Sequence, residues 1–251
     1  MNGIAERAKF IPEPLLLDCR VDEFKSALEE TVAKIEEGDL FLLTFAGHGA
    51  KCEGTGIEIK SDGIYEGICL RDGYCWDLEV GYLLNKVSPK ATIITIYDCC
   101  FGNDPLRLGE DGDPAPSFKE KLRKFFGRGS RERYLRGDSN TDHEKVEFQK
   151  MIARRPEIRE RAQLKITAPG IHFAACSQGE VAKEKHYAGV GTRGRFSYAF
   201  QRAYYDGGDL TYSEMEKRID DYMITYNDQH PSVEPLFSER TIDLNDVLFE
   251  R

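Results

Sequence analysis

Long apolar runs are missing from this 251-residue chain. No stretch approaches the ~18 consecutive apolar residues of a membrane-crossing helix. Residues 1–10 also lack the apolar core of a secretory signal. Positive charge is in deficit: 35 Lys+Arg against 44 Asp+Glu leave a formal net charge of -9, which argues against a nucleic-acid binder. Seven cysteines are present, but a regular spacing is not. The pairs Cys69/Cys75 and Cys99/Cys100 fit no common metal-ligand pattern, and an odd count without a framework points to free thiols in a reducing, cytoplasmic setting. No internal repeat occurs. These absences leave one domain over 1–251, expected without cofactor, membrane or nucleic-acid partner.

Two β-branched and aromatic runs stand out. Leu40 to Phe45 ends in Ala46-Gly47-His48-Gly49, and Thr92 to Tyr97 ends in Asp98-Cys99-Cys100-Phe101-Gly102. Both read as fully buried strands, apolar on both faces, as in a parallel sheet. In open α/β sheets, sites form just past the carboxyl ends of such strands. One strand brings an imidazole there and the other a thiol, the simplest equipment for an activated cysteine nucleophile.

The rest of the chain supplies helices between strands. Residues 4–10 read as the end of a helix, and Pro14 to Leu17 as a short apolar strand. From Asp22, taken as an N-cap, apolar residues recur at Phe24, Leu28, Val32 and Ile35, and Gly38 stops that helix. Lys51 to Gly73 is glycine-rich and acidic and reads as loop with short hairpin pieces. A helix is predicted over 77–87. Ile171 to Ala175 is another buried strand, 194–205 and 210–226 are helices, and Pro235-Leu236-Phe237 is a last edge strand. Strands alternating with helices define α/β with a mainly parallel sheet.

Residues 103–165 break this pattern. They hold an acidic Gly/Pro stretch, a basic block from Lys119 to Arg136, and a charged helical stretch from Asp142 to Arg161. Few residues there read as core-facing. A connection of this length is expected to be a linker or insertion with a function of its own.

The flanking residues strengthen the chemical reading. Gly47 and Gly49 permit a tight turn around His48 and close approach of a substrate backbone. Gly49 also offers an N–H beside the imidazole as an oxyanion donor. Cys99 and Cys100 point to opposite sides of a strand, so only one can face His48. Residue physics alone leaves that choice open. Asp98 reads either as an ordinary strand-end carboxylate or as a holder of a cationic substrate group.

Gly47-His48-Gly49 followed by Asp98-Cys99-Cys100 resembles the caspase family, in particular its prokaryotic metacaspase-like branch. In caspases the histidine lies about 50 residues before the cysteine; here Cys100 follows His48 by 52. Metacaspase-like proteins commonly carry Ser-Gly-His-Gly and Asp-Ser-Cys-His-Ser-Gly. By that pattern Cys100 is the nucleophile, Cys99 replaces a serine, Phe101 replaces a histidine and Ala46 replaces a serine. Gly102 falls one place early. Ala174-Ala175-Cys176-Ser177-Gln178 and Gly194-Arg195-Phe196-Ser197-Tyr198-Ala199-Phe200 resemble later family segments.

The resemblance implies a caspase-like three-layer α/β/α sandwich and a set of roles. His48 is the general acid/base. Cys100 attacks the scissile carbonyl, and the N–H groups of Gly49 and Cys100 hold the oxyanion. Asp98 lines a pocket for a basic residue, so protein substrates are cut after Arg or Lys. Ala46 and Gln178 remove polar groups often found near that pocket. The family opens with a central strand and a Cys-x-x-Asp pair. Nothing before Pro14 reads as either, so the fold is expected to lack that first strand. Some metacaspases need Ca2+; Asp62, Glu66 and Asp72 are the candidate ligands, with a solvated acidic loop the alternative. Caspase precursors are cut between the nucleophile strand and the next core strand. Here that segment carries Arg128, Arg131, Arg133 and Arg136 among small residues, so it is the candidate site for activation by a protease. The implied enzyme is a latent cysteine endopeptidase of a prokaryotic stress or anti-phage response. The alternatives are a pseudoprotease acting as a partner-binding module and an acyl-transfer or thioesterase enzyme using the same dyad.

Overall fold

The structure is a computed structural model. It describes residues 1–13, 15–53, 64–99, 141–161, 166–177, 180–236 and 240–250. Among these, four strands form the central sheet in the order β1-β5-β6-β9. These are β1 (Leu40–Ala46), β5 (Thr92–Asp98), β6 (Gly170–Ala174) and β9 (Ser232–Pro235). The first three run parallel, and β9 closes the far edge antiparallel to β6. The sheet is thus mixed and mainly parallel, as expected.

Helices cover both faces because β5 alternates. Ile94 and Ile96 point into a core shared with α6 (Arg195–Gly207) and α7 (Tyr212–Met223), alongside Phe196, Phe200, Met215 and Ile219. Ile93 and Tyr97 point the other way, against Phe24, Leu28 and Val32 of α2 (Val21–Val32) and Leu83 and Leu84 of α3 (Asp77–Leu84). A short α1 (Asn2–Arg7) adds Ile4 to the first core. Each such aliphatic or aromatic side chain contributes about 1.5–3 kcal/mol on burial, so the two faces together hold the sheet in its layers.

Several expectations need correction. Of the strand expected over Pro14–Leu17, the described residues 15–17 form no strand, and Pro14 lies outside the described residues. Prolines at 12 and 14 supply no N–H to a ladder, and Leu15 and Leu17 stand 63% and 77% exposed. β1 is not buried throughout. Leu40 and Phe41 are, but Thr44 and Ala46 are exposed, because among the described residues no strand pairs with the outer edge of β1. Helix α2 begins two residues earlier than expected, with Arg20 rather than Asp22 at the N-cap. Asp22 pairs with Arg20 in its first turn, while Asp72 accepts the Val21 N–H.

The stretch expected as loop with short hairpin pieces over 51–73 is the greater part of a three-stranded antiparallel sheet of β2 (Gly49–Glu53), β3 (Ile64–Leu70) and β4 (Gly73–Trp76); residues 54–63 lie outside the described residues. Its charges hid a small core. Tyr65 and Trp76 are buried against Phe148. That phenylalanine belongs to α4 (Thr141–Arg154), which with α5 (Pro156–Arg161) occupies the end of the expected linker. The charged stretch therefore does face a core. Phe148 and Ile152, one helical turn apart, and Ile158 are buried.

A final hairpin joins β7 (Glu184–Tyr187) to β8 (Gly191–Gly194) directly before α6.

Candidate active site

Two parallel strands end side by side where the turn carrying His48 begins. In the β1–β5 pair, Ala46 is level with Asp98. His48 follows Ala46 by two residues, and Cys100 follows Asp98 by two. The Gly47 N–H donates to the Asp98 carbonyl at 3.2 Å, so the ladder continues into the turn that carries the histidine. His48 is half-buried there. Cys100, Phe101 and the four arginines at 128, 131, 133 and 136 lie outside the described residues, as does Gln178.

Cys99 is described, and it is buried on the α2/α3 face among Ile93, Tyr97 and Cys75. Burial raises its thiol well above the ordinary range, and the neighbouring Asp98 carboxylate adds to the rise. A thiolate at Cys99 is therefore strongly disfavoured near neutral pH. Cys69 is pushed up to about 12, again by burial, with Glu144 adding to the effect.

Gly49 opens β2. The Cys69 N–H donates to the His48 carbonyl at 2.8 Å, and Gly49 stands opposite Ile68. In an antiparallel ladder this makes Gly49 and Ile68 a non-hydrogen-bonded pair, so the Gly49 N–H points away from β3.

Asp98 is 1% exposed. Its Oδ2 accepts the Ser197 N–H at 3.1 Å, in the first turn of α6. A carboxylate is stabilised at a helix N-terminus, where N–H groups lack intrahelical partners. Gly194 caps that helix, and a Cβ there would lie 2.0 Å from Asp98 Oδ2. Only glycine lets the hairpin and helix approach the carboxylate this closely. Sequence reading found Asp98 but not its tie to α6. The glycine before Arg195-Phe196-Ser197 was the available signal.

A clamp of polar groups fixes the loops beyond β6. Gln229, buried, donates to the Ala175 carbonyl at 3.0 Å and accepts the Lys183 N–H at 3.1 Å. His230 pairs with Glu180, and Ser177 donates to the His230 carbonyl. These contacts join sequence-distant loops and carry no motif.

Of the three candidate calcium ligands, two are described. Glu66 lies on β3, and Asp72 is engaged by Val21 and Arg20 in holding α2. Asp62 lies outside the described residues. Among the described residues, no group of three or more His, Cys, Asp or Glu side chains is arranged to hold a metal ion. Nor is any described helix long and apolar enough to cross a membrane.

A caspase-like sheet, with a histidine strand beside a cysteine strand, defines the class. The caspase-domain family model (Peptidase_C14) matches residues 8–241, so the chain belongs to the caspase-domain family of cysteine peptidases. Among solved structures it is similar to the crystal structure of protein GSU0716 from Geobacter sulfurreducens. That likeness has a TM-score of 0.66 at 20% identity, over 95% of this chain and 83% of the other, and it concerns the fold. No curated protein matches the sequence.

Proposed function

We propose that the protein is a cysteine endopeptidase that cleaves protein substrates after arginine or lysine, with His48 as general acid/base and Cys100 as nucleophile. The observation that carries this reading is the level pairing of Ala46 with Asp98, two residues before each member of the dyad. The burial of Cys99 supports Cys100 over its neighbour. The Gly49 N–H, which points away from β3, supports an oxyanion role, shared with the Cys100 N–H. Asp98 supplies the negative charge for a basic side chain while holding α6 in place.

In this mechanism His48 takes the thiol proton of Cys100, and the thiolate attacks the scissile carbonyl. The oxyanion collapses to a thioester as His48 returns the proton to the leaving amine, and water then hydrolyses the thioester. The chain is a precursor, activated by cleavage near Arg128, Arg131, Arg133 and Arg136 by itself or by a partner protease, in a prokaryotic stress or anti-phage response. No metal is required in this scheme.

The alternative is a partner-binding pseudoprotease. It draws on Ala46 and Phe101 at positions where the family commonly has polar residues. Labelling with an arginine-directed acyloxymethyl ketone separates the two. Covalent modification in wild type but not in Cys100→Ala supports the peptidase; no modification before or after linker cleavage supports the pseudoprotease.

A further inference from the structure

The β7–β8 hairpin places cations where a net charge of -9 would least suggest them. Its register sets Lys185 opposite Arg193, and the Arg195 N–H donates to the Lys183 carbonyl at 2.8 Å. Side chains alternate along each strand, so Lys183, Lys185, Arg193 and Arg195 share one face. Tyr187 belongs to this face too, and Tyr226 packs against it. Lys185 Nζ donates to the Tyr226 hydroxyl at 3.2 Å, and the Arg195 guanidinium lies 4.2 Å over the Tyr226 ring. The other face carries Glu184 and Gly194, and Gly194 abuts Asp98.

Among the described residues, one carboxylate answers these four cations. Asp228 meets Lys183 at 2.7 Å and Arg195 at 2.8 Å. Lys185 and Arg193 are exposed, with no ion pair among the described residues. Like charges directly opposite each other destabilise a hairpin. Arg195 is 9% exposed, yet its Nε has no hydrogen-bond partner among the described residues. A buried guanidinium N–H left unmade and a repelling pair beside it are both costs that an anion would remove.

Gly194 abuts Asp98, which precedes the proposed nucleophile Cys100 by two residues in the sequence. From this we propose that the Lys183/Lys185/Arg193/Arg195 face binds an acidic side chain of the protein substrate, flanking the scissile bond. The inference rests on the peptidase reading. The site selects a basic residue at the cut and an acidic one beside it. An acidic segment is repelled by most of this molecule and focused onto this face.

The test uses paired peptides with a single arginine, flanked at two to five residues by either Asp/Glu or Ser. Specificity constants are measured on the linker-cleaved enzyme. In parallel, a fluorescein-labelled acidic peptide lacking Arg and Lys is titrated by anisotropy. The expected result is about a ten-fold preference for the acidic-flank substrate, carried by KM and reduced by salt. Lys185→Glu/Arg193→Glu should remove or invert the preference and abolish binding of the labelled peptide. Both positions are exposed, and matched circular dichroism and melting curves establish that the variant is folded. If no peptide is cut, the peptidase reading fails, while the anisotropy arm still decides this one. Equal affinity of wild type and the charge-reversed variant for the acidic peptide would overturn the assignment.

Discussion

Gly47 donates its main-chain N–H to the carbonyl of Asp98 at 3.2 Å. This single bond extends the β1–β5 ladder past the last paired residues, Ala46 and Asp98. It fixes the start of the histidine turn to the strand that carries Asp98 and Cys99. On the proposed His48/Cys100 dyad, the following outcomes are expected.

Cys100→Ala and His48→Ala should each abolish peptide cleavage, because neither group works without the other. Cys99→Ser should keep most of the activity. It places a hydroxyl in an apolar site and should lower stability by about 1–3 kcal/mol. Kinetics and urea denaturation on the three variants check this. An inactive but stable Cys99→Ser beside an active Cys100→Ala would reverse the assignment of the nucleophile.

Asp98 has two tasks that substitution can separate. Asp98→Asn retains an oxygen to accept the Ser197 N–H but loses the charge. It should fold close to wild type and lose most of its preference for Arg and Lys. Asp98→Ala should lose the preference and also about 1–3 kcal/mol of stability, since a buried N–H is left unmade. An Asp98→Asn enzyme that still favours basic residues as strongly as wild type would remove Asp98 from the pocket.

Gly194→Ala should destabilise through contact with Asp98, since the new Cβ would lie 2.0 Å from Oδ2. Overpacking of this sort costs about 1–3 kcal/mol. Trimming the partner makes room, so Gly194→Ala combined with Asp98→Ala should cost less than the sum of the two alone. Additive melting shifts would show that the two residues do not meet.

His172 sets an acid limit on stability. It is packed against Tyr97, with Nδ1 2.7 Å from Thr95 Oγ1, and burial lowers its pKa to about 4 from the usual 6.5. The unfolded chain takes up a proton on this ring as pH falls below about 6.5. The folded chain does so only near pH 4. Its contribution is therefore complete above pH 6.5, shrinks as the pH falls, and is gone below about 4. The whole effect is up to about 3 kcal/mol. Urea midpoints between pH 7 and 4.5 should fall less steeply in His172→Gln than in wild type. Parallel slopes would exclude this residue as the cause.

Replacing Arg128, Arg131, Arg133 and Arg136 with alanine should leave the precursor single-chain and latent. The unsubstituted chain should give two associated fragments, cut between residues 127 and 161. The buried Phe148, Ile152 and Ile158 narrow that window, because helices packed on a core resist nicking. The break is expected before Thr141. Full activity of the quadruple variant would end the activation model and leave the dyad claim standing.

The sequence by itself determined what short-range rules and local chemistry can carry. Uninterrupted β-branched runs read as strands of a parallel sheet. Glycines around His48 read as a turn, and the spacing to Cys100 suggested the class of the protein. The helices α2, α6 and α7 were legible because tertiary contacts agree with their local sequence. The rest depended on partners far away in sequence. Tyr65 and Trp76 are core residues only because Phe148 lies on them, and the charges around each concealed the pattern. Pro14 to Leu17 has strand composition, but the described residues 15–17 join no ladder. The face shared by Lys183, Lys185, Arg193 and Arg195 exists only through the hairpin register. Asp98 was visible as a carboxylate beside a thiol. Its hold on Ser197, ninety-nine residues away, was decided by folding, because a buried charge persists only where distant N–H groups are brought to meet it.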